Sequence, residues 1–125
     1  MIGRRTVARL AFVGFAIAWA VAAHWPRIEI RGPAIPHLDK AVHAGAFACW
    51  TVLLSLTGWC GDGPGARRRL ALAAVLYAAV DELTQALPGI GRDADLADFF
   101  ADLAGIAVGL VCAALLGRAG TRRGP

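Results

Sequence analysis

Four long apolar segments run through the chain, separated by short polar stretches. The segments cover residues 7–25, 41–59, 70–87 and 99–117. Each is close to the ~20 residues that an α-helix needs to cross the hydrocarbon core of a bilayer. None alternates apolar and polar residues with the period of two that a strand requires. The pattern therefore predicts an all-α polytopic membrane protein, a four-transmembrane-helix bundle with short loops in one domain, residues 1–125.

Helix-breaking residues mark the connections between the segments. Pro33 and Pro36 lie in the first connection, Gly61 and Pro64 in the second, and Pro88 in the third. Proline lacks the N–H that continues a helix, and glycine tolerates turn conformations, so each segment is expected to end at these points. No connection is long enough to separate two domains.

Composition agrees with a membrane protein. Of the 125 residues, 58% are hydrophobic and 18% are charged, and the mean hydropathy is +0.57. The net charge of +4 comes from short basic clusters between apolar runs, so nucleic acid is not a predicted partner. Cys49, Cys60 and Cys112 are widely spaced, which predicts neither a disulfide framework nor a thiolate metal site.

The distribution of Lys and Arg predicts the orientation. With a cytoplasmic amino terminus, nine of the 13 basic residues lie on the inner side: Arg4, Arg5, Arg9, Arg67, Arg68, Arg69, Arg118, Arg122 and Arg123. The outer side holds Arg27, Arg31, Lys40 and Arg92. Because basic residues concentrate on the cytoplasmic side of membrane proteins, both termini are predicted to be cytoplasmic. The predicted location is the bacterial inner (plasma) membrane, which the chain crosses several times.

The first segment also has the pattern of a secretory signal peptide. "RRTVARLAFVGFAIAWAVAAH" has a basic start, an apolar middle and a small-residue end. Cleavage near Ala23 is therefore the alternative to a retained first helix. Retention is favoured because three further spans follow and a retained helix explains the charge balance. The four tryptophans are interpreted as interface anchors and packing residues, namely Trp19, Trp25, Trp50 and Trp59. Trp25 and Trp59 lie near predicted helix ends.

Polar residues gather at the predicted outer ends of three helices. They are Asp39, Lys40 and His43 in the second helix, Asp81, Glu82 and Gln85 in the third, Arg92 in the third connection, and Asp98 and Asp102 in the fourth helix. Asp39 is also a candidate N-cap. Since successive spans are antiparallel, these three ends should reach the same membrane depth.

The carboxylates of this set need hydrogen-bond donors or positive charges close to them. An ionised carboxylate without such a partner is strongly disfavoured in lipid. Asp81 and Glu82 should therefore face the bundle interior, where they can be neutralised by Lys40, His43 and Arg92. Gly105 and Gly109 have small-xxx-small spacing, which lets the fourth helix approach a neighbour closely.

The order of these motifs resembles the VanZ-like family of small bacterial integral membrane proteins. The resemblance rests on "HLDKAVHAGAF", then "YAAVDELTQALPGIGR", then Asp98, Asp102, Gly105 and Gly109, and it covers roughly residues 37–110. It implies that the polar residues named above, from Asp39 to Asp98, are characteristic of the family. Asp102 stands where the family pattern has Asn. The namesake is linked to resistance to the glycopeptide teicoplanin, and the resemblance implies no particular reaction.

The expected function is an outward-facing site that binds or modifies a lipid-linked or cell-envelope molecule. His43, Glu82, Asp81 and Asp98 are the candidate catalytic residues, with Glu82 or His43 as proton carrier. Asp39, Lys40, Gln85, Arg92 and Asp102 are the candidate substrate-binding residues. No cofactor or metal is predicted, because no tight ligand motif such as HExxH is present, although His43 with two or three carboxylates would make a mixed N/O ligand set.

Two other classes of function stay open. In the first, the protein is a non-enzymatic accessory or scaffold and the polar residues are structural. The second is a small transporter or proton relay, which is less favoured because the carboxylates gather at one surface and the inner halves of the helices offer only Thr51, Ser55 and Thr57. Membrane lipids or a lipid-linked precursor are the expected partners, and a homo-oligomer stays open.

Overall fold

The computed structural model describes residues 2–25, 36–88, 90 and 95–121. Within these ranges the chain forms four helices and no strand: α1 Arg4–His24, α2 Leu38–Thr57, α3 Ala66–Gln85 and α4 Leu96–Thr121. The all-α prediction is confirmed, and the predicted segments differ from the helices by a few residues at each end.

Consecutive helices run in opposite directions. Trp19, near the end of α1, contacts the ring of His43 near the start of α2, with ring centroids 5.2 Å apart. Phe12, earlier in α1, contacts Trp50 later in α2, at 5.0 Å. Tyr77 of α3 stacks on the indole ring of the same Trp50, with ring centroids 4.7 Å apart. Aromatic side chains therefore join α1, α2 and α3 through the middle of the bundle.

The most extensive helix contact joins α2 to α4, which run parallel. A Cβ added at Gly105 would overlap the backbone carbonyl of Ala44, and one added at Gly109 would lie 2.7 Å from Cβ of Thr51. Both glycines therefore permit an approach that any side chain would block. The close packing expected from their spacing is present.

The start of α2 differs from the prediction. Asp39 was expected as a candidate N-cap, but the N-cap is His37, whose φ of 59° places it in the left-handed region, and no side chain caps the helix there. Asp39 lies in the first turn of α2 instead. A carboxylate in the first turn still interacts favourably with the helix dipole.

Three helices are long and apolar enough to cross a membrane, namely α1, α2 and Leu96–Arg118 of α4. α3 is not among them, because its sequence carries Arg67, Arg68 and Arg69 at one end and Asp81 and Glu82 near the other. Large apolar side chains are exposed on all four helices. This surface and the three candidate spans indicate a membrane protein.

Substituting Gly105 by alanine is expected to lower the free energy of unfolding by about 1–3 kcal/mol, because the new Cβ must displace α4 from α2. Gly45→Ala is the matched control, since it lies in α2 and its Cβ would meet no described atom within 4 Å. Unfolding of the purified protein in detergent, followed by circular dichroism, measures both. Equal stability of the two variants would contradict the described α2–α4 contact.

Candidate functional site

A buried polar cluster lies where α2 begins, α3 ends and α4 begins. It consists of His43, Asp81, Glu82, Gln85, Asp98 and Asp102, and each residue is at most 6% exposed. The opposite end of the bundle holds basic contacts: Arg5 pairs with Asp62 at 2.7 Å, and Arg69 donates to the carbonyl of Cys60. The three helix ends thus meet at one side of the bundle, as expected.

The imidazole of His43 is surrounded by carboxylates from two other helices. Its Nδ1 lies 2.9 Å from Oδ1 of Asp102 and 4.0 Å from Oε1 of Glu82. On the other side of the ring, Nε2 lies 3.9 Å from Oδ2 of Asp98. The edge-on ring of Trp19 also packs against the imidazole. These contacts hold the ring between α3 and α4.

Lys40 connects the start of α2 to the start of α4. Its Nζ lies 3.0 Å from Asp98, 3.3 Å from Asp95 and 3.1 Å from Asp39. The Asp39 side chain is 55% exposed, so this residue lies at the rim of the cluster. The hydrogen bond from the backbone N–H of Ala97 is the main cause that holds the pKa of Asp95 below its usual range, and Lys40 lowers this pKa further. The lowered pKa favours the ionised carboxylate that Lys40 binds.

Asp81 obtains its partners from α1 and from its own helix. The indole N–H of Trp19 donates to Oδ2 of Asp81 at 3.3 Å, and the amide of Gln85 donates to the same oxygen at 3.2 Å. Nδ1 of His24 lies 3.9 Å from Oδ1, while its Nε2 meets the Thr84 hydroxyl at 2.8 Å. Trp19 and His24 therefore connect α1 to Asp81, and retention of the first helix stays a prediction.

Two carboxylate oxygens in the centre have no hydrogen-bond partner among the described residues. Glu82 accepts the backbone N–H of Asp95 with Oε2 at 3.2 Å, but its Oε1 is buried and unpartnered. Oδ2 of Asp102 is buried and unpartnered as well. One ligand atom each from His43, Glu82 and Asp102 lie within 4.8 Å of one another, an arrangement that can hold a metal ion.

A groove between α3 and α4 leads from the apolar outer surface to the cluster. Its volume is about 260 Å³, and it is lined by Ala79, Glu82, Leu83, Asp95, Leu96 and Phe99. Most of these side chains are apolar. Glu82 is therefore the cluster residue within reach of a molecule that lies in this groove. A larger cavity, about 550 Å³, lies at the basic end and is lined in part by Arg67 and Arg118.

The structure brings together most of the residues that the sequence singled out. They lie together at one end of the bundle, where each contacts at least one other polar residue: Lys40, His43, Asp81, Glu82, Gln85, Asp98 and Asp102. Asp39 lies at the rim, and Arg92 lies outside the described residues. Their catalytic and binding roles stay predictions.

Sequence reasoning missed Trp19, His24 and Asp95. Trp19 was interpreted as a packing or interface residue, although its indole N–H contacts Asp81. The direction of the helices could have identified two of them, because α1 runs antiparallel to α2 and so places Trp19 and His24 at the same end of the bundle as Asp81. Asp95 lies in the connection just before α4. The i, i+4 spacing that places residues on one helix face does not apply to a residue in a connection.

Comparisons with protein-family models, with curated proteins and with solved structures find no match for this chain. The VanZ-like resemblance therefore rests on the motifs in the sequence.

Replacing Trp19 by phenylalanine removes a donor from a buried carboxylate and is expected to lower the free energy of unfolding by about 1–3 kcal/mol. Trp25→Phe is the control, because Trp25 is 58% exposed and its change should stay within ~0.5 kcal/mol. Chemical unfolding in detergent provides the comparison. If both tryptophans tolerate the change equally, the Trp19–Asp81 hydrogen bond does not contribute to stability.

Proposed function

We propose that this chain is a VanZ-like protein of the bacterial inner membrane whose polar cluster binds a lipid-linked or cell-envelope molecule and modifies it by acid/base chemistry. One observation carries the proposal. Four buried carboxylates, those of Asp81, Glu82, Asp98 and Asp102, surround or adjoin one buried imidazole. Ionisable groups inside apolar helices are costly, and they occur there mainly at functional sites.

The exposed faces of the helices support insertion of all four into the membrane. α3 carries charged residues, but Asp81 and Glu82 face the bundle interior. Its outward stripe consists of Leu72, Leu76, Val80 and Leu83, which are 52–68% exposed. A helix with this stripe presents apolar side chains to lipid over about 16 Å, given the rise of ~1.5 Å per residue. Four spans place both termini on the same side.

The charge distribution supports an outward-facing cluster. Arg5, Arg67, Arg68 and Arg69 lie at the end of the bundle opposite His43. Arginines at helix ends favour the cytoplasmic side. With the basic end inside, the polar cluster lies at the extracytoplasmic side, where envelope precursors are processed.

Glu82 is the proposed proton carrier. Its Oε1 is free of hydrogen bonds among the described residues, lies 4.0 Å from Nδ1 of His43, and belongs to a residue that lines the groove. His43 is the proposed general base, and Asp102 orients its ring through the 2.9 Å contact to Nδ1. Asp81, also a candidate catalytic residue, already accepts hydrogen bonds from Trp19 and Gln85. Its proposed role is therefore to anchor α1 to α3.

The groove indicates the class of molecule. Apolar walls formed by Leu83, Leu96 and Phe99 suit a hydrocarbon chain that enters from the lipid, and the polar head would lie against Glu82 and Asp95, which also line the groove. Lys40 lies at the same end with Asp39, Asp95 and Asp98 around its Nζ, so a phosphate or carboxylate of the head group would bind it in exchange for one of these carboxylates. A molecule with a lipid tail and a polar head fits both surfaces.

A non-enzymatic accessory role is the second candidate. It is favoured by the contacts of Lys40, which ties α2 to α4, and of Asp81, which ties α1 to α3. These contacts stabilise the bundle whether or not a reaction follows.

A transporter or proton relay has less support. In the inner halves of the helices, the hydroxyls of Thr51, Ser55 and Thr57 donate to backbone carbonyls of their own helix. Such hydroxyls offer no continuous polar path across the bilayer. The described residues therefore provide no continuous polar path from the polar cluster to the basic end of the bundle.

The proposal predicts a loss of function without a loss of protein. In a bacterial host whose teicoplanin susceptibility changes on expression of this chain, Glu82→Gln and His43→Ala should each return the susceptibility to that of the host alone. Asp62→Asn, at the opposite end and 72% exposed in its side chain, is the control and should leave the effect intact. Immunoblots of isolated membranes measure abundance.

Three outcomes would count against parts of the proposal. If both variants keep the wild-type effect, acid/base chemistry at the cluster is wrong. If both lose the effect only in proportion to their abundance, the accessory role is favoured instead. If the wild-type chain leaves teicoplanin susceptibility unchanged, the link with glycopeptide resistance is wrong.

A further inference from the structure

We propose that His43, Glu82 and Asp102 bind one divalent transition-metal ion. The three residues come from α2, α3 and α4, and all three are buried. This inference deepens the proposed function and rests on it for the role of the ion: with the ion bound, His43 and Glu82 would act as its ligands, and a water on the ion would take over the acid/base chemistry proposed for them. Binding itself requires only the described geometry.

The spacing of the ligand atoms fits one ion. Nδ1 of His43 lies 2.9 Å from Oδ1 of Asp102 and 4.0 Å from Oε1 of Glu82. Two ligand atoms bound to a tetrahedral ion at ~2.1 Å lie about 3.4 Å apart. The two measured distances bracket that value and the third lies within 4.8 Å, so small rotations of the carboxylates bring the set onto a common centre, where the ion would replace the hydrogen bond between Nδ1 and Oδ1.

Unpartnered oxygens provide a second, independent observation. Oε1 of Glu82 and Oδ2 of Asp102 are buried and accept no hydrogen bond from the described residues. Glu82 is 6% exposed and Asp102 is fully buried. A buried carboxylate oxygen without a donor is strongly disfavoured, and a cation satisfies it directly.

The charge balance also favours a cation at this position. Within the described residues, the ion pairs of Lys40 go to Asp98, Asp95 and Asp39, whereas Glu82 and Asp102 pair with His43 alone. One imidazole neutralises at most one of these two carboxylates. A divalent ion would neutralise both and leave the imidazole neutral, which is the form that binds metals.

Surrounding groups already hold the three side chains in place. Asp98 lies on the Nε2 side of His43 at 3.9 Å, which is where a carboxylate commonly orients a metal-binding histidine. The backbone N–H of Asp95 fixes Oε2 of Glu82 and leaves Oε1 directed toward the ring. Close approach of α4 at Gly105 keeps Asp102 within reach of α2.

The ligand types select the kind of metal. One imidazole and two carboxylates, without a thiolate, suit Zn²⁺, Mn²⁺ or Fe²⁺, whereas Mg²⁺ and Ca²⁺ prefer oxygen ligands alone. Three protein ligands leave a coordination position open. A phosphate or carboxylate of the proposed head group can occupy it, so the ion would let a cluster rich in carboxylates bind an anionic molecule.

Metal binding to the purified wild-type protein tests the inference. Protein in detergent is treated with a chelator, exchanged into metal-free buffer, and titrated with Mn²⁺ while the electron paramagnetic resonance signal of free Mn²⁺ is followed. We expect one ion per chain, displaced by Zn²⁺ but not by Mg²⁺. Glu82→Gln and Asp102→Asn, which preserve side-chain shape, should each weaken binding at least about tenfold.

Asp62→Asn is the matched control, because it removes a carboxylate at the other end of the bundle and should bind as the wild type does. Thermal unfolding of each variant shows whether the fold is kept. Zn²⁺ should raise the unfolding temperature of the wild type and not that of Asp102→Asn, since an ion that binds only the folded state stabilises it.

The outcomes separate this inference from the proposed function. If the wild type binds no stoichiometric Mn²⁺ or Zn²⁺, or if folded Asp102→Asn binds as well as wild type, the metal site is wrong, even when Glu82→Gln still abolishes the cellular effect. If the wild type binds one ion and the two variants do not, the site is supported, even when the cellular effect of Glu82→Gln proves unchanged.

Discussion

A carboxylate inside an apolar bundle must have a partner, and this constraint explains most of the described structure. Asp81, Glu82, Asp98 and Asp102 are all nearly or fully buried, and each has at least one partner from outside its own helix. Trp19 of α1 serves Asp81 of α3, Lys40 of α2 serves Asp98 of α4, and His43 serves Asp102. Each polar contact thereby joins two helices at the same end of the bundle, while aromatic rings fill the middle.

Backbone geometry makes these contacts reachable. α2 and α4 touch where Gly105 and Gly109 lack side chains, so that Ala44 and Thr51 lie against the backbone of α4. Small residues at such contacts are the usual way to bring helices together in lipid, where the hydrophobic effect does not act between them. The apolar contact and the polar contact therefore depend on each other, because a wider separation would move Asp102 away from His43.

The partners are unevenly distributed, and this unevenness favours the proposed site over a purely structural cluster. Asp81 and Asp98 have donors or cations within hydrogen-bond distance. Glu82 and Asp102 each keep one buried oxygen without a described partner. A purely structural network would be expected to satisfy every member, since a partly satisfied one is less stable than an apolar core. The free oxygen of Glu82 lies 4.0 Å from Nδ1 of His43, and Glu82 also lines the groove that opens to the apolar surface.

The sequence predicted the meeting of three helix ends because antiparallel spans of similar length fix which residues share a depth. That argument located His43, Glu82 and Asp102 together and identified the glycine contact. It did not reach Trp19 and His24, since apolar and aromatic residues of α1 have many interpretations until their neighbours are known. It placed the N-cap at Asp39, whereas His37 takes that position in the left-handed region. Mean hydropathy and the number of charged residues also exclude α3 from the candidate membrane-spanning helices. Both quantities include Asp81 and Glu82, although these side chains are buried in the bundle.

The contact between His43 and Asp102 is the most direct test of the convergence of the helices. The protein would be labelled with ¹⁵N-histidine and with ¹³C at the aspartate carboxyl carbon, reconstituted in lipid bilayers, and examined by magic-angle-spinning NMR. With Nδ1 and Oδ1 2.9 Å apart, Nδ1 of His43 should show a measurable dipolar coupling to the side-chain carboxyl carbon of Asp102, and Asp102→Asn should remove it, whereas a coupling of Nε2 to Asp98 should persist. A His43 ring without such a coupling in the wild-type protein would contradict the account.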